Sequence, residues 1–270
     1  MKFDREVLSD IWDNPVEIAQ EVLRQAQIGF RSTPLREIAT ELGIYDISEQ
    51  TLSAIEGALI VPVGKFEGAI LLNKNQDERR KHFTLAHELG HYLHPYHHPQ
   101  AGGVFECDSK DMVINQFSKL DALKKIEYEA NQFAAELLLP SIFVKEFQND
   151  ATNLTLERII AFSDVFNVSR AATFRRIIQD QNVPLMAIYS FNGKIKYFNN
   201  PKKFPFLKLW TKAPLPSNSI SNTYNGGDNS VSSISVGCQS LWLKRPSNVT
   251  LLEQVFVQEG GYRITLLSLG

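Results

Sequence analysis

The chain has little cysteine, little net charge and no long apolar run. Its two cysteines, Cys107 and Cys238, are too few and too distant for a disulfide framework, so we expect a reducing compartment and two small buried side chains. A net charge of −2 gives no basic footprint for nucleic acid. No run approaches the ~18 apolar residues of a membrane helix, and the first residues lack the apolar core of a signal peptide. These absences predict a soluble cytoplasmic protein that has no membrane segment.

The most informative stretch, Phe83 to His91, contains the pattern His-Glu-x-x-His. Helix residues four apart share one face, so His87 and His91 can direct two imidazoles at one ion, as in zinc peptidases. Glu88 projects to the side of that face. There its carboxylate can accept a proton from water whose pKa zinc lowers to about 7. The pattern is only moderately specific, and it lacks a third ligand.

A second helix, predicted for Leu120–Leu139 and stopped by Pro140, can supply that ligand. It is at least a core element, because alanine and leucine dominate one side. A carboxylate in so apolar a helix is costly to bury unless it is paired or metal-bound. Glu127 can be the ligand, and Asn131, one turn later, can orient a neighbouring group. Glu129, rotated by about 200° from Glu127, stays open as an alternative ligand.

Three histidines follow the motif helix, which Pro95 should end. His94, His97 and His98 are candidates for extra ligands or transition-state donors. Histidines beside a helix end more often lie on the surface, and we expect that here. Residues 100–119 are expected to pass the cleft as an edge strand or a lid.

The remaining N-terminal elements follow from periodicity. Gly43 should cap a helix at its C-terminus, and the motif helix should start near Glu78 after a charged, solvated connection. The other predicted elements are two helices at 15–29 and 35–43 and two strands at 57–64 and 66–73, joined by a turn at Gly64–Lys65. These helices are interpreted as packing elements.

Residues 153–179 resemble a helix-turn-helix, with Asn167 in the turn and Ser169 as the cap of the second helix. One interpretation directs the second helix at DNA through Arg170, Thr173, Arg175 and Arg176. The other is a helical corner that packs on the peptidase core. We favour the corner, because the net charge is slightly negative and the segment has few arginines.

From Val183 the composition shifts to aromatic residues, serine, asparagine and glycine, which predicts a β-rich C-terminal domain. The polar stretch 217–235 is expected to be a mobile loop. The predicted strands are Leu185–Ser190, Lys194–Phe198, Ser233–Val236, Ser240–Lys244, Leu251–Gln258 and Tyr262–Leu267. We find no catalytic motif in this region, so a sensory or substrate-recognition role is an argument by exclusion.

The two motifs together resemble the ImmA/IrrE family of zinc metallo-endopeptidases. The second, Glu127 to Pro140, follows the family pattern E-x-x-A-N-x-F-A-x-x-L-L-x-P. The resemblance implies Zn²⁺ held by His87, His91 and Glu127, with Glu88 as general base. It also implies a bacterial, cytoplasmic enzyme that cuts a helix-turn-helix repressor of the XRE type and releases a stress-response or mobile-element operon.

These observations predict an α+β protein. A zincin-like helical peptidase domain with a small β-sheet covers 1–150, the helix-turn-helix-like segment covers 151–182, and the β-rich domain covers 183–270. Two other functions stay open: a DNA- or repressor-binding regulator with a structural metal site, and a zinc hydrolase acting on a small amide. Manganese or cobalt would also suit the ligands. The candidates for stabilising an oxyanion are Tyr92, Tyr96, His94, His98 and an arginine from elsewhere.

Gly90 lies inside the motif helix, where glycine costs about 1 kcal/mol relative to alanine. We expect the reason to be packing. A hydrogen at this position would let the second motif helix approach the metal face closely.

Overall fold

The computed structural model describes residues 2–11, 13–62, 67–97, 103–108, 110, 122–149, 154–179, 184–199, 201, 204–246 and 248–270. The chain forms two compact units. The first comprises Met1–Phe143 with Asp164–Ser169, and the second comprises Val144–Ser163 with Arg170–Gly270. The predicted turn at Gly64–Lys65, together with His98 and residues 111–121, lies outside the described residues.

The first unit combines helices with a four-stranded sheet. Its elements are α1 (Arg5–Asp10), α2 (Pro15–Gln25), α3 (Leu35–Glu41), β1 (Ile44–Gln50), β2 (Gly57–Ile60), β3 (Gly68–Asn73), α4 (Glu78–Leu93), β4 (Val104–Cys107) and α5 (Ala122–Leu138). Local chemistry sets several boundaries. The Asn14 side chain accepts the Val16 N–H at 3.1 Å to cap α2, and Gly43 takes a φ of 105° after α3, as its predicted capping role requires.

The sheet has the order β1-β3-β2-β4. β1 runs parallel to β3, whereas β2 is antiparallel to both β3 and β4. β4 therefore lies at one edge of the sheet, and residues 104–107 fulfil the prediction of an edge strand. Phe105 and Cys107 are its buried side chains, and they alternate with Val104 and Glu106, which are more exposed.

α4 carries the motif and packs against α5. Asp77 caps α4 by accepting the Arg80 N–H at 2.9 Å, and the helix ends at Leu93, just before Pro95. A Cβ atom on Gly90 would lie 3.0 Å from Phe133 Cδ1 and 3.3 Å from Ala130 Cα. Both residues belong to α5, so the expectation that Gly90 allows a close approach of the two helices is confirmed.

The second unit contains the other helices and a five-stranded antiparallel sheet of order β6-β5-β9-β8-β7. Its sheet core is a cluster around Trp242, Met186 and Leu267. The elements are α6 (Ser141–Asn149, whose first residues belong to the first unit), α7 (Leu156–Val165), α8 (Arg170–Gln179), β5 (Leu185–Phe191), β6 (Lys194–Phe198), α9 (Ile220–Thr223), β7 (Ser235–Val236), α10 (Gln239–Trp242), β8 (Leu251–Val257) and β9 (Tyr262–Leu269).

A buried carboxylate fixes part of the polar stretch 217–235 against this sheet. Glu253 on β8 is 1% exposed. It accepts the Ser221 N–H at 2.8 Å and the Ser221 hydroxyl at 2.7 Å, and also the Trp242 indole N–H at 3.0 Å. These bonds satisfy the buried charge and attach α9 and α10 to the strand.

The helix-turn-helix-like segment has the predicted helices, α7 and α8, and Asn167 takes a φ of 52° in the turn. Within the second unit, α8 packs against the sheet: the Arg170 guanidinium lies 4.9 Å from the Phe256 ring centre, and Phe174 contacts Tyr189 edge-on. Thr173 is fully buried. Two of the four side chains considered for DNA contact, Arg170 and Thr173, are therefore used in packing.

Two expectations about the second unit were wrong. Ser240–Lys244 is not a strand, because α10 occupies Gln239–Trp242 and turns the Trp242 side chain into the core. Cys238 is exposed, whereas Cys107 is buried as predicted, and the two are not joined in a disulfide.

None of the helices in the described part of the chain combines the length and apolar character that a membrane crossing requires.

The packing at Gly90 can be tested by substitution. We expect Gly90→Val to lower the free energy of unfolding by about 1–3 kcal/mol, because the added methyls must displace Phe133 or α5. Gly29, whose Cβ would meet nothing within 4 Å, provides the matched control: Gly29→Val should change stability by about 0.5 kcal/mol or less. Urea unfolding of the metal-free variants measures both, and equal effects would contradict the packing role.

Candidate metal centre

Two imidazoles of α4 come together one helical turn apart. His87 Nε2 and His91 Nε2 are 3.0 Å apart, and the two ring centres are 4.7 Å apart. Both side chains are buried. The i, i+4 spacing of the motif thus gives two nitrogen atoms that face one point.

α5 adds a carboxylate at the same point. Glu127 Oε2 lies 3.1 Å from His87 Nε2 and 3.4 Å from His91 Nε2. Glu129, the alternative ligand, lies instead beside His97, 3.1 Å from its Nε2 atom. Of the two carboxylates considered, the structure brings only Glu127 to the imidazole pair.

The partner of His87 Nδ1 indicates which tautomer suits metal binding. Nδ1 is 3.0 Å from the side-chain oxygen of Asn131, an acceptor, so Nδ1 carries the proton and donates it. When a metal is bound, Nε2 supplies its lone pair beside the Glu127 carboxylate; without a metal, a protonated ring can donate from Nε2 to that carboxylate at 3.1 Å. A cation between these atoms would satisfy both, so the donor set fits the divalent metal that the motif implies.

Glu127 is strongly acidic in this setting. Burial raises the pKa of its carboxyl, but hydrogen bonds and charge interactions with His87 and His91 outweigh burial and lower the pKa to about 2. The carboxyl group is thus held in the ionised form that a metal ligand needs.

Glu88 is fully buried next to this centre. A Cβ atom on Gly57 of β2 would collide with Thr84 and lie 3.3 Å from Glu88 Oε1. The glycine therefore lets β2 pass close to the glutamate. His87, Glu88 and Cys107 each place one ligand-type atom within 4.8 Å of the others.

β4 covers the imidazoles on the sheet side. Phe105 stacks on His91 with ring centres 4.7 Å apart, and Cys107 Sγ lies 3.4 Å from His87 Nε2. Sequence reasoning missed Cys107, because it belongs to neither motif and reaches His87 through the pairing of β4 with β2.

Two of the three histidines after the motif are not on the surface. His94 and His97 are 3% and 0% exposed, so the expectation was wrong for these two. His97 Nδ1 lies 3.1 Å from His91 Nδ1. Only the loop that turns back at Pro95 makes this contact, and helical periodicity does not predict it.

Tyr92 and Tyr96, the tyrosines considered as oxyanion donors, have different surroundings. The Tyr92 hydroxyl donates to the Leu42 carbonyl at 3.1 Å and accepts from Arg5 Nη1 at 3.1 Å, so these partners already engage it. Tyr96 is 50% exposed.

A helix with two metal-type imidazoles, a carboxylate from a second helix and a buried glutamate beside them is an arrangement of the metallopeptidase class. Comparison with known proteins agrees. The IrrE N-terminal-like domain model, Peptidase_M78, matches residues 39–177. The chain belongs to this metallopeptidase family, which confirms the ImmA/IrrE resemblance.

Two further similarities were found. "Uncharacterized immunity region protein 2" of Bacillus phage phi105 is 34% identical over 96 residues, which are 36% of this chain and 52% of the phage protein. The chain thus matches about half the length of this relative. A solved "Mycobacterium tuberculosis transcriptional regulator" is similar with a TM-score of 0.54 and 14% identity, over 98% of this chain and 80% of the regulator. That likeness concerns the fold, which is α+β as predicted.

The low pKa of Glu127 predicts an acid-sensitive contribution to stability in the metal-free protein. Because the pKa falls from its ordinary 4.5 to about 2 on folding, the carboxylate stabilises the fold above about pH 4.5 and loses this effect as the pH falls toward 2. We expect Glu127→Gln to lower the free energy of unfolding by about 1–3 kcal/mol near neutral pH.

Urea unfolding at several pH values measures this difference. The gap between wild type and Glu127→Gln should shrink steadily as the solution is acidified below about pH 4.5. Glu106→Gln, a change at an exposed glutamate of β4, is the control and should show no such trend. A gap that stays constant down to about pH 3 would contradict the assignment.

Proposed function

We propose that the protein is a zinc-dependent endopeptidase. His87, His91 and Glu127 hold the metal, and Glu88 is the general base. The observation that carries the proposal is the convergence of two imidazole nitrogens and one carboxylate oxygen within 3.0–3.4 Å of one another. When bound, zinc supplies a Lewis acid that polarises the peptide carbonyl and acidifies water.

Glu88 has the position and burial that a general base needs. Its backbone directly follows His87, so its carboxylate stays next to the ligands without belonging to the convergent set. In a site that excludes bulk water, a carboxylate at this place can take a proton from the attacking water and return it to the leaving amine nitrogen. General acid–base catalysis of this kind contributes roughly 10²–10⁴-fold to a rate.

For the substrate we propose a helix-turn-helix repressor of the XRE type, whose cleavage derepresses a stress-response or mobile-element operon. Membership of a peptidase family supports a protein substrate. The phage relative is named for an immunity region, which fits a partner that controls phage genes. The β-rich region 183–270, which adds no catalytic motif, is proposed to recognise the substrate or a signal.

Direct DNA binding by α8 is less well supported. Arg170 packs on Phe256 and Thr173 is buried, so two of the four side chains considered for DNA contact are engaged elsewhere. A regulator that only binds its partner would also leave the buried Glu88 without a role.

The role of Glu88 gives the first test. Glu88→Gln keeps the shape of the side chain but removes its basicity, so we expect cleavage to fall by at least about 10²-fold while bound zinc stays stoichiometric. Glu106→Gln, on the neighbouring β4, should leave both unchanged. Cleavage rates and zinc content of the purified variants are the measurements. Full cleavage by Glu88→Gln would refute the proposed mechanism.

The substrate proposal needs its own experiment. Wild-type protein with zinc should cut an XRE-type repressor at one discrete bond, and a chelator or Glu88→Gln should prevent the cut. Mass spectrometry of the products locates the bond. If repressors remain intact while the protein binds operator DNA in a salt-dependent manner, a non-catalytic regulator would replace the peptidase.

A further inference from the structure

A second group of titratable side chains touches the back of the proposed metal centre. His97 lies between His91 and Glu129: its Nδ1 is 3.1 Å from His91 Nδ1, and its Nε2 is 3.1 Å from Glu129 Oε2. His97 is fully buried, and Glu129 is 9% exposed. His94 stacks on His97 with ring centres 4.0 Å apart. The cluster reaches the convergent donor set through the contact of His97 with His91.

The hydrogen bonds determine where the protons lie. Burial raises the pKa of Glu129, and Lys125 Nζ, 3.3 Å from Glu129 Oε1, opposes that effect. When Glu129 is ionised it only accepts hydrogen bonds, so a neutral His97 between Glu129 and His91 donates through Nε2 and has its lone pair on Nδ1. His91 in turn must donate through its own Nδ1. The remaining nitrogen, His91 Nε2, is left with the lone pair that faces Glu127.

The same proton arrangement decides whether this cluster could itself bind a cation. His94, His97 and Glu129 place ligand-type atoms within 4.8 Å of one another, a spacing that also suits a cation site. For that, His97 Nε2 would need a free lone pair, so its proton would move to Nδ1 and point at His91. His91 Nε2 would then carry a proton and could not bind a metal. With neutral rings, the two sites exclude each other.

We propose that Glu129 and His97 form a relay that fixes the tautomer and orientation of His91 for metal binding. This inference rests on the proposed metal centre. His97 and Glu129 are positioning residues: they act through His91 and touch neither metal nor substrate. Asn131 does the same for His87 directly, since its side-chain oxygen accepts the Nδ1 proton at 3.0 Å. Each imidazole ligand is thus oriented by a residue of α5, in one case through His97.

The expected size of the effect follows from other metal sites, where loss of a partner of a ligating histidine weakens metal affinity by about 10–100-fold. His97→Phe keeps a flat ring but offers no acceptor to His91, so zinc affinity should fall in that range. His97→Asn places a side-chain oxygen near the former Nδ1 position and should restore most of the loss. Glu129→Leu removes the far acceptor and should also weaken binding, by about 10-fold.

The experiment is a competition titration of zinc against a chromophoric chelator, with zinc stoichiometry measured alongside. Circular dichroism of the metal-free variants checks folding. If His97→Phe does not fold, Glu129→Leu carries the test. Glu106→Gln is the control, because its exposed side chain on β4 lies outside the relay, and it should bind one zinc with wild-type affinity.

A second readout is the tautomer itself. NMR spectra that correlate ring nitrogens with carbon-bound ring protons should show His97 protonated at Nε2 and His91 at Nδ1 in the zinc-loaded wild type. His97 protonated at Nδ1 would overturn the relay.

The titration outcomes separate the inference from the proposed function. Wild-type zinc affinity in both His97→Phe and Glu129→Leu overturns the relay but leaves the metal centre intact. Two zinc ions per wild-type chain, one of them lost in His94→Gln, would make the cluster a cation site and overturn the relay. A wild type that binds no zinc refutes the proposed function, and with it the inference.

Discussion

The close approach of α4 and α5 is the constraint on which the site depends. Neither helix makes a metal centre alone, because α4 has two imidazoles and α5 has one suitable carboxylate. Gly90 supports the 3.4 Å approach of His91 Nε2 and Glu127 Oε2, because a Cβ atom there would press on Phe133 and Ala130 of α5. The helix propensity lost at Gly90, about 1 kcal/mol, is the cost of that geometry.

The polar side chains of α5 have different partners because they point in different directions. Glu127 and Asn131 are one turn apart and share a face, so one meets both imidazoles and the other meets the outer nitrogen of His87. Glu129 points away from that face and contacts His97. A buried polar network is stabilising only if all its members are satisfied. In this network, Glu127, Asn131 and Glu129 of α5 contact the two ligand histidines directly or through His97.

Much of the first unit could be predicted from sequence, since α4 and α5 have strong helical periodicity and each contains a motif with fixed spacing. The elements and contacts that could not be predicted from the sequence depend on tertiary contacts. β1 was not predicted, because an edge strand with mostly exposed side chains has little apolar alternation, and its partner β3 follows only after β2 in the chain. Ser240–Lys244 is a short apolar run, and its length does not distinguish strand from helix. His97 joins the site through a loop whose path periodicity does not predict.

The position of β4 bears on the kind of substrate that the proposed peptidase would accept. Within the described residues, this edge strand pairs with β2 alone, and its Phe105 and Cys107 side chains contact the two imidazoles. An edge strand has backbone N–H and C=O groups that can pair with another chain. A polypeptide entering there would bind as an added strand, so it must be extended over several residues. A well-folded helix-turn-helix domain would resist cleavage, whereas an unstructured linker beside such a domain would be susceptible.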